Sequence, residues 1–469
     1  MDHVLAEYFV GPVKVRLTRS KGICNYEIEE PSFSDFEESL KEKVLSEIYY
    51  SKSTDFEDKV LLRLKELGVN DDNVEKILYS IKKQILYNEI TPLLLDPDIE
   101  EIECLGYGSP ITVVHRKFPE CIRFYTNIKL NDEETVVRII EKLASKANKS
   151  VNIARPYVEF SLPEGHRVAA TISKEISLPG STFDIRKFPL KPLNILEVIN
   201  SSMLNELITA YLWLLLEYRP FIIILGPTGS GKTTLLNALL NLVNPHYKIL
   251  TIEDTSEISL LNKNWVRFIA RSTLLSEFEI SISDLAKLAL RYRPDYMIIG
   301  EVRGKEIEAL VHAAASGHGS ITTFHGSRPI DAVTRIIDLL SGDLGKLFLQ
   351  TIWNFIIVGN RKEGNKTVRS VLDIYEIINK GSKKITFKKI FEWSYQNNNF
   401  TPQNISEIIK RSYRLKKIKE IYNVDVESEL TRRLDFLKRL KENGIRDSES
   451  IQGSLYQFYF GDQVENISM

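Results

Sequence analysis

The chain has 469 residues, and its 62 lysines and arginines nearly balance its 63 aspartates and glutamates, leaving a formal net charge of −1. This balance argues against a protein that coats nucleic acid with a basic surface, while a hydrophobic content of 43% is enough for folded cores. The longest apolar runs fall far short of the ~20 residues of a membrane span, so we expect a cytoplasmic protein that touches a membrane only peripherally.

The first half of the chain predicts a helical segment followed by a mixed α+β domain. Residues 1–90 are interpreted as a helical accessory region, because capping-box spacings at Ser34 and Thr54 each precede an apolar-periodic stretch. Residues 91–188 change to short β-rich runs, with one amphipathic helix that Asn131 can cap. The chain's three cysteines all lie in this half and are too few for a disulfide framework or a four-cysteine zinc site.

Two prolines mark the predicted domain boundary. Pro189 and Pro192 interrupt both helix and strand, so residues 189–194 are predicted to be an interdomain linker and hinge. From residue 195 to 380 strands and helices alternate, which predicts an α/β domain whose parallel sheet is covered by helices on both faces.

Residues 381–469 are predicted to form a mainly helical, charged extension. One segment of it is basic, and it either meets anionic lipid headgroups or forms a solvated helix face paired with nearby acids. Its basic residues are Lys410, Arg411, Arg414, Lys416, Lys417 and Lys419.

A glycine-rich turn carries the strongest chemical signal in the sequence. It matches the phosphate-loop pattern GxxxxGK[ST] at every fixed position, between an apolar strand and a leucine-rich helix. Backbone N–H groups of such a turn point at phosphate oxygens. Lys232 is expected to neutralise the β and γ phosphates, and the Thr233 hydroxyl to ligate Mg²⁺. The predicted nucleotide-binding residues are Gly226, Pro227, Thr228, Gly229, Ser230, Gly231, Lys232, Thr233 and Thr234.

Hydrolysis also needs carboxylates, which we expect at neighbouring strand ends because ligands sit at the carboxyl ends of parallel strands. Glu301 follows an apolar strand and is assigned to the Mg²⁺ shell, although a solvated loop acid is the simpler alternative. Glu253 ends another strand, with Glu257 nearby, and is assigned as the general base. A capping role for Glu253 and a share of the base role for Asp254 both stay open.

Residues 317–325 form a further predicted strand with a histidine at each end. His325 and His318 could each sense the γ-phosphate by donating a hydrogen bond. The alternative for both is a polar side chain satisfied by the backbone.

The order of these motifs closely resembles that of the type II/type IV secretion ATPase superfamily, which includes type IV pilus, archaellum and conjugation motors. The resemblance covers roughly residues 90–375. Thr255 stands where bacterial pilus motors usually have proline, and this difference favours the archaeal pilus or archaellum branch. The matching segments are residues 226–233, 251–257, 293–304 and 317–325.

The resemblance implies a two-lobed protomer with a RecA-like ATPase domain, a homohexameric ring, and ATP with Mg²⁺ as ligands. It also implies that Arg155, Arg167 and Arg186 of the N-terminal domain reach the phosphates, where a guanidinium stabilises transition-state charge; each could instead form an ordinary salt bridge. The expected partner is a polytopic membrane platform protein at the cytoplasmic face of the membrane, and no nucleic acid is expected.

Three other classes of function compete with this interpretation. A GTPase would need a guanine-reading motif, and residues 262–265 lack its aspartate. A conjugation-type secretion motor or nucleic-acid translocase is the main alternative, although the near-zero charge argues weakly against a DNA channel. A catalytically inactive scaffold is disfavoured because no core position of the site is lost.

Overall fold

The computed structural model divides the chain into two units, Met1–Leu190 and Lys191–Met469. It describes residues 3–48, 56–118, 120–178, 180–188, 193–271, 279–363, 366–379, 385–445 and 447–461. The division falls within the predicted linker 189–194, whose prolines Pro189 and Pro192 lie outside the described residues.

The first unit is built on a nine-stranded sheet. Its strands are β1 (His3–Val10), β2 (Val13–Ser20), β3 (Ile23–Glu29), β4 (Ile99–Cys104), β5 (Pro110–His115), β6 (Phe124–Lys129), β7 (Tyr157–Ser161), β8 (Arg167–Thr171) and β9 (Thr182–Arg186). Their order is β1-β2-β3-β6-β5-β4-β9-β8-β7, with β3 and β6 parallel and the other neighbours antiparallel.

The strands β1 to β3 correct the expectation that residues 1–90 are helical. In β2, Val13, Val15 and Leu17 are fully buried and alternate with charged residues, which is the period of a half-buried strand. A disulfide joins Cys24 of β3 to Cys121, just before β6, so this early segment is bonded covalently to the later part of the sheet.

The helices of the first unit form a small bundle and a layer on the sheet. They are α1 (Asp35–Ile48), α2 (Phe56–Glu66), α3 (Asp71–Lys82), α4 (Thr91–Leu95) and α5 (Glu133–Lys146), with a π-helical turn at Lys83–Tyr87. The first three share their own small core around Val44, Val60 and Ile77. The α5 helix begins one residue later than predicted, because Asp132 rather than Asn131 accepts the capping hydrogen bond from the Thr135 N–H.

At the β7–β9 end of this sheet one face is packed and the other is exposed, since these three strands alternate in burial. A buried cation follows β9. The Lys187 ammonium donates to the carbonyls of Leu93, at 3.0 Å, and Asp96. Burial lowers the pKa of Lys187 to about 7.

The second unit contains the predicted parallel sheet. Its strands are β10 (Phe221–Gly226), β11 (Ile249–Glu253), β12 (Trp265–Ile269), β13 (Tyr296–Glu301), β14 (Gly319–His325), β15 (Ile352–Glu363), β16 (Lys366–Asn379), β17 (Ile385–Ser394) and β18 (Asn399–Thr401). The order is β12-β11-β13-β14-β10-β15-β16-β17-β18. The pairs from β12 to β15 are parallel and those from β15 to β18 antiparallel.

Helices cover both faces of this second sheet, which confirms the predicted fold class. Ile222 and Ile224 of β10 enter one hydrophobic core, while Phe221, Ile223 and Leu225 enter the other. No helix within the described ranges is both long and apolar enough to span a bilayer. The helices are α6 (Ile195–Asn200), α7 (Glu206–Leu216), α8 (Lys232–Leu240), α9 (Ile282–Ala289), α10 (Ile307–Ala315), α11 (Pro329–Leu339), α12 (Leu344–Thr351), α13 (Ile405–Arg411), α14 (Tyr413–Tyr422), α15 (Val426–Glu442) and α16 (Ser448–Phe460).

The C-terminal segment differs from the predicted helical extension in two respects. Residues 385–401 contribute the strands β17 and β18, and the helices that follow pack into the core against α7. Arg433 of α15 is 2% exposed and forms ion pairs with Glu429 and, at 3.2 Å, with Glu217 just after α7. This segment is therefore part of the second unit's core.

The basic segment is not one continuous solvated face. Arg414 lies over the Trp353 ring and donates to the carbonyls of Ile352 and Ile377, both at 2.9 Å. Lys417 pairs with Glu420 at 2.8 Å, as the solvated-face interpretation expects. Arg414 therefore anchors α14 to the sheet.

Candidate functional site

The predicted phosphate loop lies between β10 and α8, at the carboxyl end of the parallel strands. The Ser230 hydroxyl and the Lys232 Nζ both donate to the Pro227 carbonyl, at 2.8 and 2.9 Å, so the turn is closed on itself. The loop consists of Gly226 at the end of β10, then Pro227, Thr228, Gly229, Ser230 and Gly231, and then Lys232, Thr233 and Thr234 in the first turn of α8.

Two glycines of the loop are required by close packing. A Cβ on Gly226 would lie 2.5 Å from the Val358 carbonyl oxygen of β15. Gly231 has a φ of +92°, and a Cβ there would lie 2.9 Å from the Met203 Cε. Gly226 has no room for a side chain because its neighbour is backbone, whereas at Gly231 the left-handed backbone is what favours glycine.

A carboxylate that the sequence analysis left without a role lies directly on the loop. The Thr233 hydroxyl donates to Glu257 Oε2 at 3.1 Å. Asn237, one turn further along α8, donates to the Glu257 carbonyl at 3.0 Å and accepts from the Ser259 N–H at 2.9 Å. The segment after β11 is thus bound to α8, and Glu257 is held beside the predicted metal ligand.

Glu253, predicted as general base, is buried beneath this segment. Its side chain is 3% exposed, and its Oε1 accepts hydrogen bonds from the N–H groups of Glu257 and Ile258, both at 2.8 Å. Its Oε2 has no hydrogen-bond partner within the described part of the chain and lies 3.9 Å from Arg267 Nε. Burial raises the pKa of Glu253 to about 7, against the lowering effect of the two N–H donors.

Glu301, predicted for the metal shell, ends β13 between an arginine and a histidine. It accepts from Arg303 Nε at 2.8 Å and lies 2.5 Å from His325 Nε2. His325 ends β14 and is the register partner of Gly226, so it stands beside the first loop residue. The structure therefore brings Glu301 and His325 together at the loop, and the metal role of Glu301 stays a prediction.

His318 is not brought to the loop. It precedes β14, at the amino end of the strand that His325 ends, and a strand of this length spans roughly 20 Å. Its ring Nδ1 is 3.1 Å from the Ala313 carbonyl oxygen, and the backbone N–H of His318 donates to the same oxygen. His318 therefore caps α10, as its alternative interpretation expects.

The three predicted arginines lie in the first unit. Arg167 and Arg186 are direct cross-strand partners on β8 and β9. Arg167 forms an ion pair with Glu159, and Arg155 lies over the Tyr157 ring at 5.5 Å. Like charges directly opposite in a sheet destabilise it, and here acids next to each arginine offset this, Glu159 beside Arg167 and Glu101 opposite Arg186.

Oxygen donors at the loop fit a magnesium ion. Mg²⁺ usually keeps several waters and takes one or two protein ligands together with substrate phosphates. Thr233 and Glu257 supply a hydroxyl and a carboxylate of this kind, 3.1 Å apart. In the described ranges no group of three or more histidines, cysteines or acids could hold a metal ion by itself.

The placement of Glu257 had a signal in the sequence. Thr233, Asn237 and Asn241 form a polar stripe at four-residue spacing on an otherwise leucine-rich helix. Asn241 accepts from the Leu261 N–H at 3.0 Å, so all three residues bind the segment after β11. A polar stripe on a buried helix predicts a docked loop, and Glu257 is the acid of that loop that meets Thr233.

The sequence of this chain is similar to those of several known proteins. A family model described as type II/IV secretion system protein matches residues 110–349. The chain is 29% identical over 468 residues to the uncharacterized protein MJ0900 of Methanocaldococcus jannaschii, covering 95% of this chain and 82% of that one. It is 30% identical over 244 residues to the conjugal transfer protein TrbB of Rhizobium radiobacter, covering 50% and 73% respectively. The solved structure of the Legionella pneumophila ATPase DotB is similar with a TM-score of 0.42 and 17% identity, over 77% of this chain and 92% of DotB.

Proposed function

Because this chain belongs to the type II/IV secretion system protein family, whose model matches more than half of it, we propose that it is an ATP-hydrolysing motor. In this proposal it powers assembly of a type IV pilus-like filament or an archaellum. It works as a homohexamer on a polytopic membrane platform protein, at the cytoplasmic face of the membrane.

The observation that carries the proposal is the meeting of three motifs at one edge of the second sheet. Lys232 and Thr233 begin α8, Glu257 contacts Thr233, and Glu301 pairs with His325 beside Gly226. The arrangement places a cation, a hydroxyl and two carboxylates around the loop. These are the groups that phosphoryl transfer to water requires.

In the proposed mechanism, the loop N–H groups and Lys232 bind the phosphates of ATP, and Thr233 and Glu257 hold the metal and its water. Magnesium bound with ATP supplies charge neutralisation at the phosphates. His325 lies on the Glu301 carboxylate and at the first loop residue, so it is suited to sense whether a γ-phosphate is present.

We place the water-orienting role at Glu257 rather than at Glu253. A side chain that is 3% exposed meets an attacking water only if its surroundings open, and Oε1 of Glu253 already holds two N–H groups of the Glu257 turn. Glu253 then acts by positioning Glu257. A pKa of about 7 still suits Glu253 to base catalysis, and the two assignments are separated by variants described in the Discussion.

The paired arginines of the first unit complete the proposed site. Arg167 and Arg186 together present two guanidinium groups. These suit the negative charge on the γ-phosphate in the transition state of hydrolysis. Their arrival is proposed to depend on hinge closure at residues 189–194, and their release on loss of the γ-phosphate. Arg155, which lies on Tyr157, is proposed for a weaker contact of the same kind.

A phosphate-release assay on the full chain tests the proposal. Wild type should hydrolyse ATP in the presence of Mg²⁺, and Lys232→Ala should reduce the rate by about 100-fold or more, because the β and γ phosphates lose their cation. Lys346→Ala is the matched control, since Lys346 is a surface lysine paired with Asp343. A wild type without activity, or a Lys232→Ala variant at the wild-type rate, would contradict the proposal.

The second candidate is a conjugation-type secretion or nucleic-acid translocation motor. The similarity to TrbB, a conjugal transfer protein, favours it. Measuring ATP hydrolysis with and without single- and double-stranded DNA separates the two candidates. We expect no stimulation by DNA; a severalfold rise in rate would favour the second candidate.

A further inference from the structure

An arginine outside all of the sequence motifs stands beside the phosphate loop. Arg369 lies on β16, and its Cδ is 3.8 Å from the position that a Cβ on Gly231 would take. Gly231 is the N-cap residue of α8, where unpaired N–H groups and the helix dipole favour an anion. The exposed side chain of Arg369 therefore passes the loop, at its Cδ, at the end where α8 begins.

The packing of the β15–β16 hairpin fixes this approach. β15 pairs with β10, and the Val358 carbonyl contacts the Gly226 end of the loop. At the Gly231 end, Met203 fills the space where a side chain would stand, and its carbonyl accepts from the Val371 N–H of β16 at 2.8 Å. The hairpin thus packs directly against the Gly226 end of the loop and, through Met203, against the Gly231 end. The hydrogen bond to Met203 comes from Val371, two residues after Arg369.

A second arginine of the hairpin shows how firmly it is held. Arg361 is 3% exposed, lies 3.7 Å from the Trp393 ring centroid and donates to the Ser202 carbonyl at 3.1 Å. Ser202 precedes Met203, so the same corner of the chain receives both strands of the hairpin. Arg361 is a packing residue, whereas Arg369 is exposed at the loop.

The sheet order indicates which part of a nucleotide Arg369 meets. Glu253, Glu301 and His325 lie on β11, β13 and β14, which are on one side of β10. Arg369 comes from β16, on the other side of β10, beyond β15. The reacting γ-phosphate belongs with the carboxylates, so Arg369 faces the part of the phosphate chain that does not react.

We propose that Arg369 binds the α and β phosphates of the nucleotide from within its own unit. This inference rests on the proposed function, because it needs a nucleotide at the loop. A planar guanidinium forms paired hydrogen bonds with phosphate oxygens, and a contact to the non-reacting phosphates holds ADP and ATP equally. Arg369 is then a binding residue that retains nucleotide after hydrolysis.

Calorimetric titration of the full chain tests this proposal, with Mg²⁺–ADP, Mg²⁺ with a non-hydrolysable ATP analogue, and Mg²⁺–pyrophosphate as probes. Arg369→Gln should raise all three dissociation constants by a similar factor of about tenfold, the size expected for a hydrogen bond to a charged group. The dissociation constants of Arg369→Lys should lie between those of wild type and those of Arg369→Gln. Lys362→Gln is the matched control, since Lys362 is an exposed cation on the same hairpin, and it should leave binding within twofold.

Three results would overturn the proposal. Unchanged binding by Arg369→Gln would remove the contact altogether. Weaker binding of the ATP analogue alone would place the contact at the γ-phosphate, and weaker binding of both nucleotides with unchanged pyrophosphate would place it at the nucleoside. A wild type that binds none of the probes would instead overturn the proposed function itself. If Arg369→Gln unfolds at a lower temperature than wild type without ligand, Arg369→Lys provides the test.

Discussion

The two nine-stranded sheets present their functional side chains in different ways. In the first unit β8 and β9 alternate in burial, so Arg167 and Arg186 stand on an exposed face. In the second unit β10 and β11 are buried along their whole length, and the carboxylate of Glu253 at the end of β11 is buried with them. A buried edge fixes short acids in place, whereas an open face leaves long arginines free to move. In the proposed mechanism the second sheet accordingly supplies the fixed groups, and the arginines of the first sheet are proposed to move.

The two units also bury titratable groups of opposite charge. Burial lowers the pKa of Lys187 in the first unit and raises that of Glu253 in the second, each to about 7. Both groups are thus biased toward their neutral forms. The two units should accordingly differ in how their stability responds to pH.

The largest expected effect concerns the strand-end carboxylates. Glu257→Gln should reduce ATP hydrolysis by about 1,000-fold, because an amide orients the attacking water poorly and cannot take its proton. Binding of ADP without Mg²⁺ should change little, since the loop is intact. Phosphate release and ADP titration measure the two quantities. Glu279→Gln, at an exposed acid of the same unit, is the control, and a Glu257→Gln variant with wild-type turnover would refute the assignment.

Replacing Glu253 should affect stability more than turnover. Between pH 4.5 and 7 the folded chain keeps a proton on Glu253 that the unfolded chain has lost, so this group's contribution to stability falls as the pH rises through that window. The change in the free energy of unfolding that Glu253→Gln causes should therefore be more stabilising at pH 8 than at pH 5, by up to roughly 3 kcal/mol. Thermal unfolding at the two pH values measures the difference.

Turnover of the same variant decides between the two acids. The side-chain carbonyl of the introduced glutamine can still accept from the N–H groups that hold Glu257 in place, so hydrolysis should stay within about tenfold of wild type. A loss as large as that of Glu257→Gln would return the base role to Glu253. A stability difference that does not depend on pH would show that the raised pKa is absent.

Arg186→Gln tests the exposed face of the first sheet. We expect a fall in hydrolysis of about tenfold, because one of two guanidinium groups is lost and Arg167 remains opposite it. Arg138→Gln, at an exposed arginine on α5, should leave the rate unchanged. Phosphate release at saturating ATP provides the measurement, and equal rates for both variants would mean that the first sheet takes no part in hydrolysis.

The smallest expected effect is on the stability of that face. Arg167 and Glu159 form an exposed ion pair, which contributes at most about 1 kcal/mol. Denaturant unfolding should therefore place Arg167→Gln and Glu159→Gln close to wild type. Hydrolysis should fall only in Arg167→Gln, and a parallel fall in both variants would indicate that Glu159 orients Arg167 for catalysis.

Local patterns predicted the second sheet well because its strands, turns and helices follow one another along the chain. The loop after β10 and the acids after β11 and β13 could be assigned from contiguous motifs. The β15–β18 extension could not, because β15 pairs with β10 across more than 100 residues and no local period encodes that partner. The strands β1 to β3 pair mainly with each other, and the alternation along β2 was a local signal for them that the helical interpretation of residues 1–90 overlooked.

The site shows the same limit at the scale of side chains. Glu253 and Glu257 are both acids after one strand, and only packing tells that the first is buried and the second meets Thr233. His318 and His325 end one strand, but parallel pairing places only His325 beside Gly226. Residue type and spacing identified the candidates, whereas solvent access and strand direction separated them.

The position of Trp213 has a practical consequence for dissecting this protein. It is fully buried, with Phe436 of α15 and Phe458 of α16 stacked around it at 5.4 and 4.5 Å between ring centroids. An expression fragment cut after the parallel strands would leave this indole and its leucine neighbours on α7 facing water, and it should aggregate. Chimeras and minimal ATPase fragments should therefore extend at least to Phe460.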